Sequence, residues 1–511
     1  MTSLIHLHQQ DNISIAARDV RQGEAFQLGE RSIEVSRDVA IGHKIANQFI
    51  ESKTPVRKYG QIIGYATQAI EQGDWVHSHN LVNGDIVLDH DKASVNPDIQ
   101  PANPGATFQG IRRASGRVGT RNYVAVISTV NCSATVSKFV AKHFDRDKLS
   151  AYENVDGVIA LTHTSGCGMR HQGMKHKMLN RVLGGFARHA NVGACLVIGL
   201  GCEQATPGLL VTDENLVQIG NANAQKGAVP IFSMQDLGGT KKTVSAAIEQ
   251  VESLLPIANQ VVRTPIPVSE LILGTECGGS DGNSGVTANP ALGVATDMVV
   301  ANGGTSILAE TSEIYGAEHL LTKRAKSIEV ADKLLELIDW WKWYVGIFGE
   351  ELDNNPSVGN KAGGLTTITE KSLGAIAKAG TSRLEKVYDY AETIDTNGLV
   401  IMDSPGYDPP SVTGMVAAGA NIVCFTTGRG SCFGCKPVPT IKIASNTPMF
   451  VRMEDDMDLN AGTILEGESV ESVGERIFTE MLQVASGKKT KSELNGFGDE
   501  EFLPWTVGPE L

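Results

Sequence analysis

Hydrophobic and polar positions change rhythm along the chain. Residues 1 to about 90 carry short apolar runs, Ile13 to Ala16, Ser32 to Val35, Ile62 to Ala66 and Trp75 to Val76. Glycines 23, 29, 42, 60, 64 and 73 break them. Runs this short, bounded by turn residues and lacking a 3.6-residue period, predict a small β-rich module without a long amphipathic helix. From Asp91 to Phe108 periodicity is lost, and Pro97, Pro101 and Pro104 predict an extended linker.

From Gly110 onward, apolar runs of strand length alternate with helical periods. Strands are predicted at Tyr123 to Val130, Gly157 to Thr164, Ala194 to Gly201 and Pro230 to Ser233, with helices at Ser133 to His143, Met174 to His189 and Lys241 to Leu255. A third block has strands at Glu270 to Gly274, Thr305 to Ala309, Gly398 to Asp403, Asn421 to Thr426 and Thr440 to Ala444. Its helical patterns run from Ala291 to Asn302, Ala317 to Phe348 with a break, Ser411 to Ala418 and Ser469 to Ala485. Such alternation predicts parallel strands joined by crossover helices. The expectation is an α/β chain of three units: a β module over 1–90 and, after a linker over 91–109, α/β domains over 110–262 and 263–511. A length of 511 residues agrees with about three domains.

The net charge of −14 argues against nucleic acid as the main partner but leaves room for a small anion held by a few local cations. The N-terminal MTSLIHLHQQDN lacks the pattern of a signal peptide, and no apolar run is long enough to span a bilayer. The expectation is therefore a cytoplasmic protein without a membrane partner. In that compartment the eight cysteines read as thiols or metal ligands rather than disulfides.

The densest chemistry lies in Glu276 to Pro290, ECGGSDGNSGVTANP, between a strand and a helix. Parallel sheets collect ligands at the carboxyl ends of their strands, and Ser280, Asp281 and Asn289 are candidate substrate contacts there. Cys132, Cys167, Cys202 and Cys277 each fall near such a strand end, with His163 four residues before Cys167. Thiols at this address are either soft ligands for iron or small residues packed at turns. Arg429 in TGRG follows another strand and suits a carboxylate. Lys361 in NPSVGNKAGG is a candidate base or carboxylate anchor, and Glu310 and Glu313 offer hard oxygen ligands or an acid/base pair. In the first module, His43 and Lys44 stand beside a turn glycine. His77 and His79, two apart, would share one side of a strand and could hold a metal or a carboxylate. Arg112, Arg113, Arg117 and Arg121 either attract an anion or anchor the linker. Cys432 and Cys435 form an isolated CxxC, a weak signal for redox or zinc chemistry. The glycines of VIGLGCE lack the remainder of a dinucleotide fingerprint.

Taken together, GHK, HxHN, RRxxGxVGxRN, HTxGC, VIGLGCE, ECGGSDGxSGxTANPxLG, NPSxGNKAGG and FTTGRG resemble the altronate and galactarate dehydratase family of sugar-acid hydro-lyases. The resemblance runs from Gly42 to about Val470. IGYA, HSHN and NGGTSILAETSEIYGAEHLL are closer to its altronate branch. After TGRG the chain departs, reading Ser431, Cys432, Phe433, Gly434, Cys435 where those dehydratases have a threonine-proline-tyrosine-glycine run. The resemblance implies a SAF-type β-clip domain, a middle dimerisation domain, a Rossmann-like C-terminal domain and a homodimer. It also implies dependence on a divalent metal, Fe2+ before Mn2+, with an iron-sulfur cluster as a further form. On that basis the metal is expected among Cys167, Cys202, Cys277, His163 and Cys132, the substrate carboxylate on Arg429, and proton transfer with Lys361, His43 or Glu310. The wider superfamily includes sulfolactate sulfo-lyase, whose elimination is chemically parallel.

Overall fold

A computed structural model describes residues 4–29, 31–86, 88, 91–100, 103–218 and 227–507. The N-terminal module contains only strands. Leu4–Ile5, Ile13–Ala16, Lys44–Ala46 and Trp75–Val76 form an antiparallel sheet, while Pro55–Lys58, Gln61–Ala66 and Leu81–Val82 form another. Ile13, Ile15, Val56, Ile63 and Val76 are buried, and they share a core with Leu308, Leu321 and Leu334 of the third block. The module therefore packs onto the C-terminal domain as a permanent neighbour. The connecting segment contributes too: the N–H groups of Ala93, Ser94 and Val95 donate to the carbonyls of Thr322 and Lys323. Pro101 lies outside the described residues.

The middle block is a parallel sheet in which Gly157–Leu161, Tyr123–Ser128, Val192–Gly199 and Ile231–Ser233 lie side by side in that order. The C-terminal block is a seven-stranded parallel sheet. Its order is Leu384–Tyr388, Gly398–Met402, Thr305–Leu308, Ile272–Cys277, Ile422–Thr427, Thr440–Ala444 and Leu459–Asn460. Its central strands are buried throughout and read as continuous apolar runs, as parallel strands covered on both faces require. Helices cover it, among them Ala288–Ala301, Asp408–Ala418 and Val470–Ala485. Thr107–Arg112 pairs with Thr264–Pro267 and Val118–Gly119 in a small sheet that ties the two blocks together. The α/β architecture expected from the alternation is present. The helical pattern over 317–348 breaks into His319–Thr322 and Ile328–Ile347.

The orientation of the two large sheets decides where their loops meet. Helix Met174–Ala187 of the middle block lies against helix Asp408–Ala418 of the C-terminal block. Contacts progress in one direction: His189 Nε2 donates to Ala420 O at 2.9 Å, and a Cβ on Gly185 would lie 2.4 Å from Ala417 O. Arg181 then donates to Tyr390 O at 2.9 Å, and the Tyr390 hydroxyl donates to Pro410 O at 2.7 Å. The two helices accordingly run parallel. Each returns from the carboxyl end of a strand, so both sheets open their ligand-binding edges on the same side.

The arginine cluster is structural. Arg113 is buried and donates to Ala190 O and Asn122 Oδ1, while Arg121 grips Glu493 at 2.6 and 2.8 Å and the carbonyls of Val484 and Lys488. Both side chains are taken up by structural contacts, with the middle block and the C-terminal helices rather than with the linker.

Candidate active site

The loop 276–290 is where the N-terminal module meets the C-terminal sheet. A Cβ on Gly282 would sit 1.9 Å from Gly42 O, and one on Gly285 would sit 2.4 Å from the Tyr59 hydroxyl. Part of this glycine pattern therefore serves domain docking rather than ligand approach. Asp281 is likewise occupied. Its Oδ1 accepts from Ser284 N at 2.8 Å, Ser284 Oγ at 2.9 Å and Ser445 Oγ at 2.8 Å, and its Oδ2 from Asn446 Nδ2 at 3.1 Å. Asp281 is thus engaged by Ser284 of its own loop and by Ser445 and Asn446, and it braces the loop. Ser280 and Asn289 attend Cys277: Ser280 Oγ lies 2.7 Å from Sγ, and Asn289 donates to Gly374 O while accepting from Thr426 Oγ1 at 2.6 Å. Cys277, Ser280, Asn289, Tyr59, Glu370 and Lys371 border a small cavity of about 10 Å³, the scale of one water molecule.

The module delivers two buried lysines. Lys44 Nζ lies 2.8 Å from Glu370 Oε2 and 2.6 Å from Gly364 O; Lys58 Nζ lies 3.0 Å from Glu370 Oε1. Burial works against the Glu370 carboxylate, but the two ammonium groups prevail and hold it at about 2. His43 reaches the same loop, with Nε2 3.3 Å from Ala362 O. Its Nδ1 accepts from Trp75 Nε1 at 3.1 Å, so the ring is neutral and its lone pair is committed. Burial, with Lys44 and Arg429 nearby, lowers its pKa further. That arrangement ties His43 to the docking of the module against the Lys361 segment. His77 stacks on His43 and Trp75 and bonds Lys361 O at 2.8 Å, while His79 packs on Trp75. The chain turns directly after Val76, so the two histidines do not share a strand face.

Arg429 and Lys361 remain available. Arg429 is exposed, and a Cβ on Gly363 would approach its Cδ to 3.3 Å. Lys361 is half-buried in the turn Val358–Ala362, and no hydrogen bond or ion pair of its ammonium is seen among the described residues.

Deeper in the same edge lies a cluster that sequence reading only partly found. Glu276 closes its strand, Glu310 follows Thr305–Leu308, and Asp408 opens the helix after Gly398–Met402. One carboxylate oxygen from each lies within 4.8 Å of the others, the only such trio of acid, His or Cys ligand atoms among the described residues. Lys378 Nζ pairs with Glu310 Oε2 at 2.7 Å and Lys371 Nζ with Glu313 Oε1 at 2.6 Å. Burial and Glu310 push Glu276 well above the carboxylate range and bring Asp408 up to about 7. Glu310 holds a left-handed backbone, φ 62°, unusual for a non-glycine residue and kept by Ser404 Oγ, which meets its N–H at 2.8 Å. A detectable sign of the lysines was their seven-residue spacing within an otherwise buried segment.

The expected thiol set divides. Cys277 is buried in the C-terminal sheet, and burial raises its pKa. Cys132, Cys167 and Cys202 are exposed, each following one of three adjacent strands of the middle sheet. Backbone bonds stitch their loops together: Asn131 N to Ser165 O at 3.0 Å and Ala205 N to Gly166 O at 3.1 Å. His163 is a brace, not a free ligand. Its Nε2 faces Ser128 O at 3.0 Å, its Nδ1 accepts from Ser165 N at 3.1 Å, and burial lowers it to about 4. The three loops keep their thiols at a common edge because strand order makes them neighbours, whereas Cys277 belongs to another sheet.

Comparison with known proteins identifies this arrangement. Residues 2–84 match the altronate/galactarate dehydratase SAF domain, residues 110–259 the second domain of D-galactarate dehydratase/altronate hydrolase, and residues 268–510 the D-galactarate/altronate dehydratase C-terminal domain. The chain belongs to the D-galactarate/altronate dehydratase family. It is 38% identical to an altronate dehydratase of Bacillus subtilis, over 97% of this chain and 98% of that protein. It is 36% identical to an altronate dehydratase of Escherichia coli, over 96% and 97%. A galactarate dehydratase (L-threo-forming) of Escherichia coli is 38% identical over 95% and 93%. Membership makes the chain a hydro-lyase of the sugar-acid dehydratases. No helix among the described residues is long and apolar enough to cross a membrane.

Proposed function

We propose that the chain dehydrates D-altronate to 2-keto-3-deoxy-D-gluconate and water. The observation carrying this reading is an exposed arginine, Arg429, whose backbone and side-chain stem lie against Gly279 of the loop 276–290 and Gly363, in a chain that matches two altronate dehydratases nearly end to end. A planar fork of donors suits the substrate carboxylate. In this reading Lys361 takes the C2 proton. The N-terminal module holds the Lys361 segment, because His43 and His77 bond the carbonyls of Ala362 and Lys361. Loss of hydroxide from C3 then gives an enol, which tautomerises to the keto acid.

In this reading iron is held by Cys132, Cys167 and Cys202, exposed thiols on loops joined by backbone hydrogen bonds; their sulfur atoms do not all lie within 4.8 Å of one another, while His163 and Cys277 are engaged elsewhere. Bound there, iron would supply a Lewis acid for the departing hydroxyl. We further propose a homodimer, a small sugar acid as the sole partner ligand, and a cytoplasmic location.

Galactarate is the competing substrate, since the galactarate dehydratase matches at the same 38%. Anaerobic turnover of iron-reconstituted protein against aldonates, aldarates and sulfolactate tests the choice. The 2-keto-3-deoxy acid should form fastest from D-altronate; faster turnover of galactarate, or release of sulfite, would displace the proposal.

A further inference from the structure

Three side chains of the N-terminal module bond three carbonyls of the Lys361 turn and its exit. His77 Nε2 lies 2.8 Å from Lys361 O, His43 Nε2 lies 3.3 Å from Ala362 O, and Lys44 Nζ donates to Gly364 O at 2.6 Å. The last is the shortest, and its charged donor makes it about twice as strong as a neutral bond. Gly364 has a positive backbone φ of 102°, and a Cβ there would lie 2.6 Å from Gly42 O. Glycine therefore lets the module turn that carries Lys44 press directly on the exit of the Lys361 turn.

Charge balance does not call for Lys44. Lys44 and Lys58 are both wholly buried, and among the described residues Glu370 is the ion-pair partner of each, at 2.8 and 3.0 Å. One carboxylate balances one ammonium, so the second is a surplus buried charge and a cost to the fold. Burial lowers the pKa of both lysines but prevails only at Lys44, which falls from 10.5 to about 8; at Lys58 the attraction of Tyr59 and Glu370 prevails and raises it. What separates the two is the further contact. Lys44 holds Gly364 O, three residues beyond Lys361, whereas Lys58 reaches Gly282 O at 3.4 Å in the loop 276–290. Glu370 Oε2 also accepts from Thr366 N at 3.0 Å and Thr366 Oγ1 at 2.6 Å, so Lys44 is anchored on both sides of Leu365.

We propose that Lys44 is a positioning residue for the dehydration: by gripping Gly364 O from a carboxylate tied to Thr366, it fixes the exit of the turn that presents Lys361. The inference rests on the reading of Lys361 as the group that takes the C2 proton. A displaced base loses rate rather than substrate affinity.

Hydrogen exchange of residues 358–366 in the iron-reconstituted, full-length protein reads the turn directly. The kcat and KM for whichever sugar acid the protein turns over read the consequence. Lys44→Met leaves Lys58 and Glu370 as a balanced pair, so the fold is expected to hold; Lys44→Gln serves if it does not. The expected result is exchange about ten-fold faster at Gly363 to Leu365, with kcat down about ten-fold and KM within about two-fold. Lys58→Met takes the same charge from the same carboxylate but frees no carbonyl of the turn, and should leave that exchange within about two-fold of wild type. Wild-type exchange or wild-type kcat in a folded Lys44 variant overturns the proposal. Equal acceleration of exchange in Lys58→Met also overturns it, since charge balance would then be the cause. Full turnover in Lys361→Met would remove the base reading alone; the exchange contrast between the two lysine variants decides the hold of Lys44 on the turn separately.

Discussion

Lys378 Nζ lies 2.7 Å from Glu310 Oε2, and neither side chain is more than 1% exposed. The pair sits on the acid cluster, where the lysine offsets the repulsion among carboxylates. Removing one partner of a buried pair leaves the other uncompensated, which typically costs about 3–5 kcal/mol. Lys378→Met should therefore lower the urea midpoint strongly. Adding Glu310→Gln should recover part of the loss, and a double-mutant cycle measures how much. Additive effects would show that the two groups are energetically independent despite their contact.

The fit between module and loop gives a second outcome. With Gly42 O only 1.9 Å from where a Cβ would stand, Gly282→Ala cannot keep the present docking without a backbone shift. Such overpacking commonly costs about 1–3 kcal/mol. The variant should lose at least ten-fold in kcat/KM and be cut faster by protease between the module and residue 107. Unchanged kcat/KM and cleavage would mean that the contact is dispensable.

How much of this was legible in advance follows from the reach of each interaction. The strand Thr440–Ala444 was readable to the residue because it ends at Ser445 and Asn446, the second of which caps the next helix. Leu384–Tyr388 escaped because LEKVY places Glu385 and Lys386 within an edge strand, breaking the apolar run of a buried one. Arg429 and Lys361 announced themselves through glycine-rich strand-end loops. Glu276 and Asp408 did not: one closes a strand and the other begins a helix, and only the strand order brings them beside Glu310. The four cysteines shared a local signature at strand ends, and the predicted strands already divided them between two domains; what the signature could not give is how far apart the two sheet edges hold them.

Buried neutral histidines set the acid limit of stability. Burial lowers His163 and His189 to about 4 from an ordinary 6.5. Below pH 6.5 the unfolded chain takes up protons that the folded chain refuses until about pH 4. Their contribution is full above 6.5 and falls as pH drops through that window. At about 1.4 kcal/mol per unit, each group weakens the fold by on the order of 3 kcal/mol across it. Denaturant midpoints from pH 7.5 to 4.5 should decline, and His189→Gln should shallow the decline; an identical slope in the variant would count against the assignment.

Arg429 offers a test that separates binding from folding. Its exposed side chain contributes little to packing, so Arg429→Lys should leave Tm within about 2 °C, in line with the small effects of surface substitutions. A lysine retains charge but lacks the planar fork. KM for the sugar acid should rise at least ten-fold with a smaller change in kcat. A variant with wild-type KM would remove the guanidinium from carboxylate recognition.

The division of the thiols makes the sharpest claim about iron. Cys132, Cys167 and Cys202 lie exposed at the ends of neighbouring strands, whereas Cys277 is enclosed between Ser280 and Asn289 in another sheet. If the three exposed thiols hold the metal, Cys202→Ser should lower iron content after anaerobic reconstitution by at least five-fold and abolish turnover. Cys277→Ser keeps a hydroxyl where Ser280 Oγ now lies 2.7 Å from sulfur, so it should retain iron while perturbing the cavity at the module boundary. Iron measured by absorption spectroscopy and by elemental analysis distinguishes the cases. Equal loss in both variants would restore a single site shared across the two sheets, and full iron in Cys202→Ser would move the metal away from the middle domain altogether.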